Sequence, residues 1–300
     1  MKLRISERKK ARIKLALQGS AGSGKTFSSL LLAKGLTNGD FNKVAIIDTE
    51  HGSADLYAHL GNYNVMTMES PFSPEKYIEA ISICESAGIE VIIIDSISHC
   101  WDYLLDIHSN MPGNSFTNWG KITPRQNAFV NKILQSNSHI ISTMRVKQDY
   151  VLNQKNGKFV PEKVGLKAIQ RNDLDYEFTI VFDVDIAHGI KATKDRTGLF
   201  IDKPEFIINA STGKKIREWC EQGVGTEQEM LATIVKEIIA CTTIEGLRHI
   251  YSKHPSYQTK INDTILLRKT AIENLAAQVI PNNQIVQQSK IQENGINSIE

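Results

Sequence analysis

Four cysteines in 300 residues, with no C-x-x-C pair and no histidine at ligand spacing, give this chain little with which to build a zinc site or a disulfide framework. Cys84, Cys100, Cys220 and Cys241 are expected as reduced, mostly buried thiols. No segment approaches the roughly 18 consecutive apolar residues of a membrane span. The basic N-terminus is not followed by the apolar stretch of a secretion signal, so the expectation is a cytoplasmic protein with no membrane partner. Net charge is also scarce: at +2, any polyanion has to be met by a local patch. The first fourteen residues offer one, with Lys2, Arg4, Arg8, Lys9, Lys10, Arg12 and Lys14 against the single acid Glu7; a solvated leader is the alternative.

What is present is concentrated in one octapeptide. Gly19-Ser20-Ala21-Gly22-Ser23-Gly24-Lys25-Thr26 fits the phosphate-loop pattern G-x-x-x-x-G-K-[ST], between a strand-like run, Ile13 to Gln18, and a helix-like run, Phe27 to Leu36. Glycines let backbone N–H groups close around a phosphate, and the helix that follows points its positive end at it. Lys25 can reach the β/γ oxygens and Thr26 can ligate magnesium. Residues 19 to 27, Phe27 included, are therefore the expected nucleotide-binding set, with ATP and Mg²⁺ as cofactors.

Strand and helix patterns alternate from there to about residue 144, which implies a doubly wound, mainly parallel sheet. Lys43 to Asp48 reads as a strand and Val65 to Met68 as a short one. Ser73-Pro74-Glu75 starts a helix to about Ala87. The unbroken β-branched run ending at Asp95 is that of a central strand. Thr123-Pro124 repeats the helix-start signal, leading to about Ser136, and His139 to Thr143 is the next strand. Asn156-Gly157 marks a hairpin turn in a polar, basic segment from 145 to 176. Phe178 to Val184 and His188 to Thr193 read as two edge strands, and from about Thr226 the period is helical. Its apolar face carries Leu231, Ile234, Ile238, Ile239, Leu247 and Ile250. The expected domains are a leader (1–12), an α/β core (13–222), a small helical unit (226–280) and a disordered, Gln/Asn-rich tail (281–300).

Phosphoryl transfer needs a metal and an oriented nucleophile as well as a cradle. Asp95, at the carboxyl end of a buried strand, stands where ligands of such sheets bind and can hold the magnesium's water shell. Glu50 lies just past the end of the second strand in Asp48-Thr49-Glu50-His51-Gly52, placed to take a proton from an attacking water. Asp48 is the alternative base, and His51 reads as structural.

Together these segments resemble the ATPase core of the RecA family over roughly residues 10 to 210. The resemblance implies that Glu50 is the catalytic base. It also implies that Lys194 and Arg196, in Ile190-Lys-Ala-Thr-Lys-Asp-Arg196, reach the ATP of a neighbouring subunit, so that the active form is a homo-oligomer, ring or filament. Thr143 and Arg145 end the fourth strand, where that family places a polar γ-phosphate sensor; Ser-Thr-Met-Arg stands where a glutamine would be expected. With Gln170-Arg171 and Asp175-Tyr-Glu-Phe178, this variant is closer to phage-type RecA-like ATPases associated with single-strand annealing.

By the same resemblance, residues 111 to 119 and 145 to 176 would line a path for single-stranded DNA. The second of these has Arg145, Lys147, Lys155, Lys158, Lys163, Lys167 and Arg171 against four acids, about +3 net, with Tyr150 and Phe159 interleaved. Phe116 and Trp119 read as stacking groups or as anchors of their own loop. The expected function is a DNA-stimulated ATPase of recombination or annealing, with a single-strand-binding protein as a further partner. A loading ATPase with a protein client and a helicase-like motor are the alternatives.

Overall fold

A computed structural model describes the chain except residues 1–4, 7, 156–157, 172–173, 224–226 and 294–300; the side chains of 148–166, 228 and 276–293 are also outside the description. The chain divides into two compact units, Ala11–Gln222 and a second made of Met1–Lys10 with Gly223–Glu300. No described helix is long and apolar enough to cross a membrane.

In the larger unit the apolar runs become a sheet in the order β3-β2-β4-β5-β1-β7-β8. These strands are β1 (Lys14–Gly19), β2 (Val44–Asp48), β3 (Asn64–Thr67), β4 (Val91–Asp95), β5 (His139–Lys155), β7 (Ile180–Val184) and β8 (Ile190–Asp195). All neighbours run parallel except β7 and β8, and β6 (Lys158–Ala168) pairs antiparallel with the outer part of β5. Helices α1 (Lys25–Leu36) and α5 (Ala210–Glu221) cover one face; α2 (Pro74–Ser86) and α4 (Ser115–Gln135) cover the other. Val91, Ile92, Ile93 and Ile94 are wholly buried, as a strand facing two apolar layers requires, each stabilising the fold by roughly 1.5–3 kcal/mol. Where α1 crosses α5 only glycine fits: a Cβ on Gly35 would come within 2.1 Å of the Ala210 carbonyl, and one on Gly213 within 2.2 Å of the Leu32 carbonyl.

Several expectations are corrected. The helix expected from Thr123 begins at Ser115, because Asn114 caps it by accepting the Phe116 N–H at 2.8 Å. Pro124 therefore lies inside α4, where its missing donor removes one hydrogen bond without ending the helix. Residues 115 to 119 are thus helical rather than part of a loop. The strand expected to stop near Thr143 continues unbroken into the hairpin. Two helices add to the expected elements: α5, and α3 (Ser98–Asn110), whose N-cap, Ile97, offers no side-chain bond.

The second unit packs α6 (Glu227–Ala240), α7 (Ile244–Lys253) and α8 (Gln258–Glu293) around Ile234, Ile238, Leu247 and Ile261. Ile239, expected on the core face, is 59% exposed; it lies one position, or about 100°, round the helix from Ile238. The backbone of α8 stays helical past Pro281, where the sequence suggests a tail without regular structure.

At the end of the sheet where β1 and β5 begin, two bases are buried. Lys14 Nζ donates to the carbonyls of Ser136 (2.8 Å) and Ser138 (2.6 Å), and burial pushes its pKa down to about 7. His139 Nδ1 accepts the Ile13 N–H at 3.1 Å, and burial with nearby cations pushes the imidazole down to about 3. The folded chain thus keeps His139 neutral while the unfolded chain protonates it near 6.5. The stability that His139 contributes is complete above pH 6.5 and is lost as pH falls towards 3. Urea midpoints measured from pH 7 to 5 should fall, and His139→Gln should flatten that slope; parallel slopes in the two proteins would refute the assignment.

Candidate active site

The phosphate loop joins β1 to α1 through two left-handed glycines, Gly22 (φ 77°) and Gly24 (φ 85°). Gly24 is the N-cap of α1, no side chain caps the helix, and no acid occupies its first turn, so the end of α1 is left open to an anion. Ser23 Oγ is buried without a hydrogen-bond partner. Lys25 folds back, Nζ donating to the carbonyls of Gly19 (3.0 Å) and Ser20 (2.8 Å). A triphosphate fits this cradle: it offers acceptors to the open N–H groups and a counter-charge to Lys25, whose pKa burial lowers against the pull of Asp95 and Glu50.

Thr26 Oγ1 donates to Asp95 Oδ2 at 2.6 Å and Thr143 Oγ1 donates to Asp95 Oδ1. Burial raises the pKa of Asp95; the two threonines pull it back, while Glu50 and Asp48 raise it further. A hydroxyl and a carboxylate side by side are the hard oxygen donors that suit Mg²⁺. Asp48 is committed elsewhere, accepting the N–H groups of Glu50 (2.6 Å) and Ala54 (3.1 Å), and so braces the turn. Glu50 forms a two-pronged pair with Arg145: Nε donates to Oε1 at 2.9 Å and Nη2 to Oε2. Burial raises the Glu50 pKa, but the bonds and charge of Arg145 outweigh it, leaving the carboxyl below its ordinary value. His51 is exposed on a left-handed backbone (φ 55°).

Beside the loop is a cavity of about 450 Å³ lined by Phe27, Tyr57, His188, Ile207 and Ile208, with the rings of Phe27 and Tyr57 5.7 Å apart. His188 donates from Nδ1 to the Ser23 carbonyl at 2.9 Å. Neither Tyr57 nor His188 carries a sequence signal for this place: Tyr57 sits in a 3₁₀ stretch, and His188, expected to begin an edge strand, lies instead in the tight turn before β8.

Lys194 and Arg196 are away from this loop. Lys194 pairs with Val181, which lies beside Ala16, three positions before Gly19 and so about 10 Å back along the sheet. Its Nζ donates to the Asp175 carbonyl (2.7 Å) over the Tyr176 ring, and Arg196 donates to the Tyr176 carbonyl (2.8 Å).

A second, larger cavity of about 1190 Å³ lies between α3, α4 and the base of the β5–β6 hairpin. Trp101 and Trp119 stack at 5.9 Å, His108 stacks on Trp119 at 4.0 Å, and Phe116 is 84% exposed. Lys147 and Lys167 are directly paired across the two strands and line the cavity with Arg171, which also donates to Asn127 Oδ1 at 3.1 Å. Of the expected DNA-binding set these three meet here, whereas Arg145 is engaged with Glu50. Lys155, Lys158 and Lys163 lie on the hairpin strands, their side chains outside the described residues. Trp101 had no sequence signal because its helix had none.

A family model described as an AAA domain matches residues 11–207. That span contains every residue of the loop, the Asp95 cluster and the larger cavity. No curated protein matches the chain.

Proposed function

The chain belongs to the AAA-domain family of P-loop ATPases, and from that premise we propose that it hydrolyses ATP while holding single-stranded DNA, as an oligomer acting in RecA-like recombination or annealing of the phage type. The loop N–H groups and Lys25 bind the phosphates, and the Phe27/Tyr57 cavity takes the base. Thr26 and Asp95 would hold Mg²⁺, which when bound neutralises the phosphate oxygens. Thr143 holds the Asp95 carboxylate in place. Glu50 accepts the proton of the attacking water once Arg145 releases it.

The observation that supports the DNA half of this reading is the larger cavity. Stacked tryptophans supply flat apolar platforms, and the Lys147/Lys167 pair with Arg171 supplies cations at their edge, which is how single strands are held without sequence preference. A core anchor would bury Phe116, which is exposed, and would not need paired like charges opposite one another on a hairpin.

Anisotropy with labelled oligo(dT) is the test. Trp119→Ala and Trp101→Ala should each weaken binding by roughly 5- to 150-fold, the equivalent of about 1–3 kcal/mol for one stacked base. ATP affinity should not change. No retention of oligo(dT) at low salt, together with no stimulation of hydrolysis, would sink the DNA reading and favour a protein client.

A further inference from the structure

His188 holds a left-handed backbone (φ 67°), a conformation that residues with a Cβ rarely adopt. Its turn over-determines that conformation: Asp185 accepts the N–H groups of Ala187 and Gly189, both at 2.8 Å, and the Asp185 carbonyl accepts the His188 N–H at 3.1 Å. Strain held in this way delivers the ring onto the phosphate loop. The imidazole lies so close to Gly24 that a Cβ there would stand 3.0 Å from Nδ1.

The ring's partner fixes its chemistry. Nδ1 is 2.9 Å from the Ser23 carbonyl, which can only accept, so in the neutral imidazole Nδ1 carries the hydrogen and Nε2 has a free lone pair. Nε2 has no partner among the described residues, and His188 lines the cavity of about 450 Å³. Two other polar side chains of that wall are turned away, Lys25 to the Gly19 and Ser20 carbonyls and Thr26 to Asp95. Ser28 and Tyr57 bring hydroxyls, which donate as readily as they accept. Nε2 differs from both: it can only accept, and so it selects a donor.

Position decides which donor it meets. Gly24 caps the helix whose open end suits the phosphates, and Phe27 and Tyr57 bring the aromatic rings that suit a base. His188 meets the loop at Ser23 and Gly24, which is the phosphate end of the cavity. Between its phosphates and its base a nucleotide has a sugar, and the sugar's hydroxyls are donors. We propose that His188 reads the sugar of the nucleotide: Nε2 accepts a hydrogen bond from a ribose hydroxyl, and the site binds less tightly any triphosphate that lacks it. The inference rests on the reading that the Phe27/Tyr57 cavity takes the base.

Calorimetry in EDTA, where hydrolysis does not consume the ligand, tests it with ATP, 2′-deoxy-ATP, 3′-deoxy-ATP, inosine triphosphate and inorganic triphosphate. One of the two deoxy analogues should bind the unmodified protein roughly 2- to 12-fold more weakly than ATP, the worth of one neutral hydrogen bond. Inosine triphosphate should match ATP, and inorganic triphosphate should be weaker. In His188→Gly, which suits the left-handed backbone, the gap between ATP and that analogue should close. Loss of a merely structural brace would weaken both nucleotides alike and leave the gap open. Thermal melts establish that the variant folds, and His188→Asn, which also tolerates this backbone, replaces it if it does not. The proposal is overturned if both deoxy analogues bind the unmodified protein as ATP does, or if the gap persists without the imidazole. Weak binding of inosine triphosphate with both deoxy analogues unaffected would make the base amine the donor; the sugar assignment then falls while the cavity reading stands. Inorganic triphosphate binding as tightly as ATP would overturn the cavity reading and the proposal together.

Discussion

Glu50→Gln should lower ATP turnover by roughly 10²- to 10⁴-fold, the usual worth of a positioned general base. The amide keeps the size of the side chain and its place past the end of β2, so the phosphate loop and the Phe27/Tyr57 cavity are untouched. Binding of a fluorescent ATP analogue should stay within about twofold, since those contacts are made without Glu50. The pairing of loss in kcat with retention of affinity is what separates a proton acceptor from a residue that merely supports the fold. Turnover within tenfold of the unmodified protein would move the base elsewhere. Asp48 is the nearest carboxylate along the strand, but its oxygens already accept the N–H groups of Glu50 and Ala54.

On the proposed oligomeric reading, the second large effect is expected at Lys194 and Arg196. A cation delivered to the leaving phosphate by a neighbouring subunit is worth about 10³- to 10⁵-fold in rate. Neither residue reaches the loop of its own chain, and each is held by carbonyls of the turn at Asp175 and Tyr176. Lys194→Ala alone and Lys25→Ala alone should both be nearly inactive. Mixed one to one, a site that takes its loop from the first and its finger from the second is complete, so about a quarter of full turnover should return in a randomly assembled oligomer. Activity of the mixture no greater than that of its components would remove the trans assignment.

The elements easiest to read from sequence were those whose signal is local and chemical. The glycines before Lys25, the aliphatic run before Asp95 and the Ser73-Pro74 start each require a particular backbone, and the structure has that backbone. Less legible were contacts made by residues distant in the chain. Nothing local says that Arg145 turns to Glu50 rather than to solvent, or that Trp101 meets Trp119. Helix α4 shows a different failure. Thr123-Pro124 is a sound start signal, but Asn114 provides an earlier cap, and the burial of Ile122, Gln126, Phe129 and Ile133 keeps the helix continuous through the proline. Tertiary burial overrides the local rule there.

The strand order also fixes when in the chain's synthesis a nucleotide site can exist. β1 carries the phosphate loop, yet its neighbours β5 and β7 come about 125 and 165 residues later in the sequence. Val184, the last residue of β7, packs against Gly19, the first residue of the loop. At a ribosomal pace of about 5–20 residues per second, the loop waits roughly 10 to 30 seconds for the strand that completes its frame. A chain arrested before Ile180 should have every residue of the G-x-x-x-x-G-K-[ST] pattern and no ATP affinity, so the first capture of nucleotide marks the moment at which the sheet has closed around its own N-terminal strand.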